Sequence, residues 1–91
     1  MLDSGMPRIS EFYGIVITMY YVEHGVPHFH ALHAGREASV AIETLEVLAG
    51  SLPDRALRLV REWASLHRDE LHLDWQRARA DQPLKPIEPL A

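Results

Sequence analysis

The period of the hydrophobic pattern changes once along this chain of 91 residues, close to residue 50. Before that point, apolar residues alternate with polar ones or form short β-branched and aromatic runs, which is typical of strands. After it, apolar residues recur at spacings of three, four and seven, which is typical of one helical face. Strands followed by helices predict an α+β domain, in which an antiparallel sheet carries the helices on one face.

Three to four strands are predicted in the first half of the chain. They cover residues 13–21, 29–34 and 37–43, with a short fourth strand over 44–49. Glycine at the first position of a two-residue loop favours a type II′ turn, so Gly35 and Arg36 are predicted to form the loop of a hairpin.

The helical pattern extends from about Pro53 to Ala80. It predicts either one long helix or two helices with a break between Leu66 and Asp69. We expect one domain over residues 6–82, preceded by a disordered extension at 1–5 and followed by an extended proline-rich tail at 83–91. Proline lacks the N–H group that helices and sheets require, which is why the tail is predicted to be extended.

Six histidines occur in the chain, and four of them lie between His24 and His33. The predicted hairpin places Phe29 and Ala31 on the face that the helices cover. Side chains alternate between the two faces of a strand, so His28 and His30 are expected to project together from the opposite face. A loop through Gly35 and Arg36 also places Glu43 opposite His28.

We expect no helix to cover this second face, which would also carry Val16, Tyr20 and Leu32. A partly apolar open face with two histidines is a candidate surface for a protein partner or for a second copy of the chain. The residues predicted to bind are Tyr20, His28, His30 and Leu32.

The His-x-His spacing is also compatible with a metal site, because both imidazoles of such a pair reach one point. Glu43 would complete a site of two histidines and one carboxylate, and His24 is a candidate further ligand. The same residues, His28, His30 and Glu43, are candidate catalytic groups for acid–base chemistry, with Arg36 as the nearest cation for a phosphate. A recognition surface, a metal site, a catalytic site and a purely structural role all stay open.

Composition restricts the classes of partner. The chain has no cysteine and a formal net charge of -4, so neither a disulfide framework nor a broad phosphate-binding surface is indicated. No apolar run approaches the length of about 18 residues that a membrane span needs. Binding to nucleic acid or membrane is therefore not supported, and a cytoplasmic protein is expected.

Several motifs resemble one bacterial family of small proteins, catalogued as domain of unknown function 4160. They are Met6-Pro7-Arg8-Ile9-Ser10-Glu11-Phe12-Tyr13-Gly14-Ile15-Val16-Ile17, Met19-Tyr20, Pro27-His28-Phe29-His30-Ala31, Leu52-Pro53, Glu62-Trp63-Ala64, Leu66-His67-Arg68 and Trp75. The resemblance covers about Met6 to Glu88, and the signature histidines of the family map to His28, His30 and His67. Val26 departs from the pattern, because family members often carry a second proline there.

The resemblance implies a small cytoplasmic protein, often encoded beside another family of unknown function (domain of unknown function 2442) in toxin–antitoxin-like pairs, and it implies no catalytic residues. We therefore expect a non-enzymatic component of such a pair that binds its partner through the histidine-bearing face. The alternative is a small nuclease toxin, metal-dependent or acid–base, with His28, His30 and Glu43 at its site. No cofactor is expected beyond the divalent metal ion of the metal-site interpretation.

Overall fold

The computed structural model describes residues 7–91, so the extension predicted at 1–5 lies outside the described residues. Five strands are followed by two helices, which is the predicted α+β class with five strands rather than three to four. The elements are β1 (Arg8–Phe12), β2 (Ile15–Thr18), β3 (His28–His33), β4 (Arg36–Ala41), β5 (Val47–Gly50), α1 (Asp54–Leu66) and α2 (Arg68–Arg79).

The five strands form one antiparallel sheet in the order of the sequence, β1-β2-β3-β4-β5. Two-residue turns join β1 to β2 and β3 to β4. Tyr13 and Gly14 form the first turn, with φ of 51° and 77°, and Ala34 and Gly35 form the second, with φ of 52° and 78°. Positive φ at both central residues is the geometry of the type I′ turn, whose twist matches that of the flanking strands.

Strand β1 was not predicted, because its buried residues do not alternate. Ile9 and Phe12 are buried at a spacing of three, and the β1–β2 register shifts between Arg8 and Ser10. A bulge of this kind breaks the two-residue period from which strands are recognised. Tyr13, predicted to begin a strand, belongs to the turn after β1.

The register predicted between β3 and β4 is wrong by two residues. The loop is Ala34-Gly35, one position earlier than predicted, so His28 pairs with Ala41 rather than with Glu43. An even shift leaves every side chain on its predicted face. Phe29 and Val40 are accordingly fully buried in the core, as predicted.

Both helices contribute to a core on one side of the sheet. The helical conformation is interrupted between them at His67, inside the predicted interval. The indole of Trp63 in α1 is fully buried and lies 5.3 Å from the ring of Phe12 and 5.9 Å from that of Phe29. The largest helical core residues are Val60, Trp63 and Leu71, and Trp75 is buried beside His28. Within residues 7–91, neither helix is long and apolar enough to cross a membrane.

The proline-rich tail lies against the domain. Ile87 is buried, and its N–H group donates to the carbonyl of Ile9 at 2.7 Å. The indole N–H of Trp63 donates to the carbonyl of Glu88 at 2.9 Å. These bonds satisfy buried polar groups of the core, so the tail completes the packing of β1 and α1.

Candidate metal centre

The two histidines of the His-x-His motif lie on the face of β3 opposite the core. Phe29, which lies between them in the sequence, and Ala31, which follows His30, point into the core. This is the alternation that a strand requires. His28 and His30 are nevertheless only 8% exposed each, although an open face was predicted.

Two aromatic rings cover the histidines. The Tyr20 ring centroid lies 4.2 Å from that of His30, and the Trp75 ring centroid lies 5.2 Å from that of His28. Trp75 belongs to α2, so the expectation that no helix reaches this face is wrong at the His28 end. Arg79 stacks over Trp75 with its guanidinium carbon 4.6 Å from the ring centroid.

A carboxylate completes the cluster from the segment that joins β2 to β3, residues 19–27, which we call the Glu23 segment. Oε1 of Glu23 lies 2.9 Å from Nε2 of His28 and 2.5 Å from Nε2 of His30. One donor atom from each of these three side chains lies within 4.8 Å of the other two. The structure therefore brings two imidazole nitrogens and one carboxylate oxygen to a single point.

The opposite nitrogen of each ring is fixed by an acceptor. Nδ1 of His28 lies 2.8 Å from the carbonyl oxygen of Val26, and Nδ1 of His30 lies 2.8 Å from Oε2 of Glu37. Carbonyl and carboxylate oxygens only accept, so a ring that carries its hydrogen on Nδ1 donates it to these two oxygens. In neutral rings of this kind, both Nε2 lone pairs consequently point at the carboxylate of Glu23.

The two lone pairs would repel the negatively charged carboxylate unless a positive charge lies between them and it. That charge is either a proton, which makes an imidazolium, or a metal ion. Burial raises the pKa of Glu23, but the hydrogen bonds from His30 and His28 and their positive charge outweigh burial, so the pKa is lowered overall. Burial and the adjacent charge of Glu37 raise the pKa of Tyr20.

Glu43, the carboxylate predicted for this site, lies elsewhere. Its Oε1 is 3.3 Å from Nε2 of His72 in α2, and its side chain is 80% exposed. The two-residue shift of the β3–β4 register removes it from the position opposite His28. Glu23 and Glu37 supply the carboxylates that reasoning from the sequence assigned to Glu43.

The other predicted residues divide between two ends of the sheet face. Tyr20 joins the cluster and donates its hydroxyl hydrogen to Oε2 of Glu37 at 3.2 Å. Leu32 is half-buried and pairs with Val16 and Glu37, farther along the same face. Arg36 is exposed beside the β3–β4 turn and pairs with His33 at the far end of β3 from His28.

The comparison with known families covers this site. The family model described as a domain of unknown function (DUF4160) matches residues 14–76, more than half of the chain. The chain belongs to the DUF4160 family. The matched part of this DUF4160 chain includes the three clustered residues Glu23, His28 and His30. It also includes Glu37, whose carboxylate contacts His30. No curated protein and no solved structure matches the chain.

Proposed function

We propose that this protein binds a divalent transition-metal ion through Glu23, His28 and His30. The observation that carries the proposal is the fixed orientation of the two rings, whose Nε2 atoms both lie against Oε1 of Glu23. Histidine ligands in metalloproteins usually donate their second ring N–H to a carbonyl or a carboxylate. Val26 and Glu37 fill those two roles here.

The donor set suits a transition-metal ion, and we choose zinc as the ion to test. Two imidazoles and one carboxylate suit zinc or ferrous iron, whereas calcium and magnesium prefer oxygen donors throughout. Zinc bonds of about 2.0–2.2 Å place the donor atoms of a tetrahedral site about 3.3 Å apart. The nitrogen–oxygen distances of 2.9 Å and 2.5 Å would open by less than about 1 Å to admit the ion. Glu23 can provide that movement, since it lies on a connecting segment rather than in the sheet.

Competition for zinc against a chromophoric chelator tests the proposal. We expect one zinc ion per chain and an affinity at least about tenfold lower in Glu23→Gln, which keeps the size of the side chain and removes its charge. Glu43→Gln is the matched control, because it removes an equal charge from the carboxylate beside His72 and is expected to leave the affinity unchanged. Equal affinities of wild type and Glu23→Gln would refute the proposal, and tighter binding of ferrous iron than of zinc would refute the choice of zinc.

Partner binding, within a toxin–antitoxin-like pair or between copies, is the second candidate function. It is supported by the exposure of Val22, at 84%, and of Val26, at 55%, on the segment that carries Glu23. The nuclease alternative would use the ion to activate a water molecule. Hydrolysis of nucleic acid by the zinc-loaded protein that is lost in Glu23→Gln would favour that alternative.

A further inference from the structure

The metal cluster offers three donors, which leaves one position of a tetrahedral zinc ion without a ligand from the same group. Structural zinc sites have four protein ligands, and catalytic sites keep water at the fourth position. The side chain of Glu23 retains 22% exposure and those of His28 and His30 retain 10% each, so the cluster is close to solvent. A ligand from outside the chain is therefore within reach of the ion.

Resting on the proposed metal site, we infer that a second copy of this chain supplies the fourth ligand through His24. His24 is exposed and directly follows Glu23, whose carboxylate turns inward to His28 and His30. The group of donor atoms that lie within 4.8 Å of one another consists of Glu23, His28 and His30, so His24 is outside its own cluster. An exposed imidazole beside a three-ligand site is well placed to bind the metal ion of a second copy.

The surroundings of His24 suit contact with an identical segment. Val22 and Val26 flank it, and they are 84% and 55% exposed, the two largest exposures among the apolar residues of the Glu23 segment. A β-carbon at Gly25 would meet no atom of residues 7–91 within 4 Å, so the tip of the segment faces away from the described part of the chain.

Twofold symmetry makes the exchange reciprocal. In an interface that uses the same patch on both copies, a contact from one copy to the other is repeated in the opposite direction. His24 of each copy would then bind the zinc ion of the other, and the valines of the two segments would lose contact with water. The two ions would make the association depend on zinc, because each has a fourth protein ligand only in the dimer.

The molar mass in solution, measured by light scattering during size-exclusion chromatography, tests this inference. We expect wild type to be a dimer with zinc and a monomer after removal of zinc by a chelator. His24→Ala is expected to bind one zinc ion per chain and to remain a monomer. His72→Ala is the matched control, because it removes a histidine whose partner is Glu43, and it is expected to dimerise like wild type.

The outcomes separate the inference from the metal site itself. A wild-type monomer that holds one zinc ion would overturn the shared ligand and leave the metal site intact. A zinc-dependent dimer of His24→Ala would show that another residue forms the interface, and this would also overturn the inference. Absence of bound zinc in wild type would overturn the metal site and the shared ligand together.

Discussion

Nδ1 of His30 lies 2.8 Å from Oε2 of Glu37, the residue on β4 that pairs with Leu32. The carboxylate also accepts the hydroxyl hydrogen of Tyr20 at 3.2 Å. Glu37 can therefore accept the Nδ1 hydrogen of His30 while Nε2 faces Glu23, and it lies outside the proposed set of metal donors. Partners of this kind orient a ligand and raise its basicity.

Removal of Glu37 is expected to weaken zinc binding. Without this acceptor, the hydrogen of a neutral His30 ring is drawn to Nε2, beside the carboxylate of Glu23, where it competes with the metal ion. We expect Glu37→Ala to lower the zinc affinity about 10- to 100-fold and Glu37→Gln, which keeps an acceptor oxygen, to lower it less. The measurements are zinc competition and nitrogen-15 chemical shifts of the His30 ring in the metal-free protein.

A structural role of Glu37 alone would give a different result. In that case Glu37→Ala would change the stability of the protein but not the ring nitrogen shifts of His30. Glu11→Ala, which removes an exposed carboxylate on β1, is the control for a general effect of charge. Unchanged ring shifts together with unchanged zinc affinity in Glu37→Ala would contradict the positioning role.

Zinc is expected to stabilise the folded chain. Ion binding links Glu23 to two buried strand residues, His28 and His30, and the unfolded chain holds no such site. A free zinc concentration 100 times the dissociation constant would raise the free energy of unfolding by about 2.7 kcal/mol. Urea unfolding with and without zinc measures the increment, which should be retained in Glu43→Gln and reduced in Glu23→Gln. An equal increment in both variants would place the ion elsewhere.

The site also depends on a close approach between β4 and the end of β5. Gly50 has a φ of 76°, and a β-carbon there would lie 2.1 Å from the carbonyl oxygen of Glu37. Gly35 has a nearly equal φ of 78°, but a β-carbon there would meet no described atom of the chain within 4 Å. The two glycines therefore separate the cost of the left-handed backbone from the cost of a steric clash.

We expect Gly50→Ala to destabilise the protein more than Gly35→Ala does. Both variants carry a left-handed alanine, which costs about 1–2 kcal/mol. Gly50→Ala must in addition displace the backbone of Glu37, and the displacement should also lower zinc affinity. Urea unfolding and zinc competition measure the two effects. Equal losses of stability in the two variants, with zinc affinity unchanged, would show that β5 moves to relieve the clash and that Glu37 keeps its position.

Much of the fold could be predicted from the sequence. The face on which a strand residue lies depends only on whether its position in the strand is odd or even. The loop Ala34-Gly35 differs from the predicted Gly35-Arg36 by one position, and the pairing of β3 with β4 changes by two. His28 and His30 therefore stayed on their predicted face. Glu43 did not stay opposite them, because the identity of a cross-strand partner depends on the exact register.

The carboxylate of the cluster could not be predicted in the same way. Glu23 lies in a connecting segment, and no period determines the direction in which such a segment folds. Its side chain reaches His28 and His30 because the segment turns back over β3. The only sequence signal is an acidic residue five positions before the first histidine of the motif, a spacing that is common without a site.

The tail is held by a fully buried carboxylate, Asp74 in α2, whose removal should cost substantial stability. Oδ1 of Asp74 accepts from the guanidinium of Arg77 at 2.8 Å and from the backbone N–H of Lys85 at 2.9 Å. Asp74→Ala leaves both donors without that acceptor, so we expect a loss of about 3 kcal/mol in the free energy of unfolding.

Asp74→Asn keeps one acceptor oxygen and should cost less than Asp74→Ala. Gln76→Ala, on the exposed side of the same helix, is the control and should change stability by less than about 0.5 kcal/mol. Limited proteolysis should cleave the tail of Asp74→Ala near Lys85 faster than that of wild type, because the backbone there loses its anchor. If Asp74→Ala were as stable and as protected as Gln76→Ala, other contacts of the tail, such as those of Ile87, Glu88 and Ala91, would be sufficient to hold it.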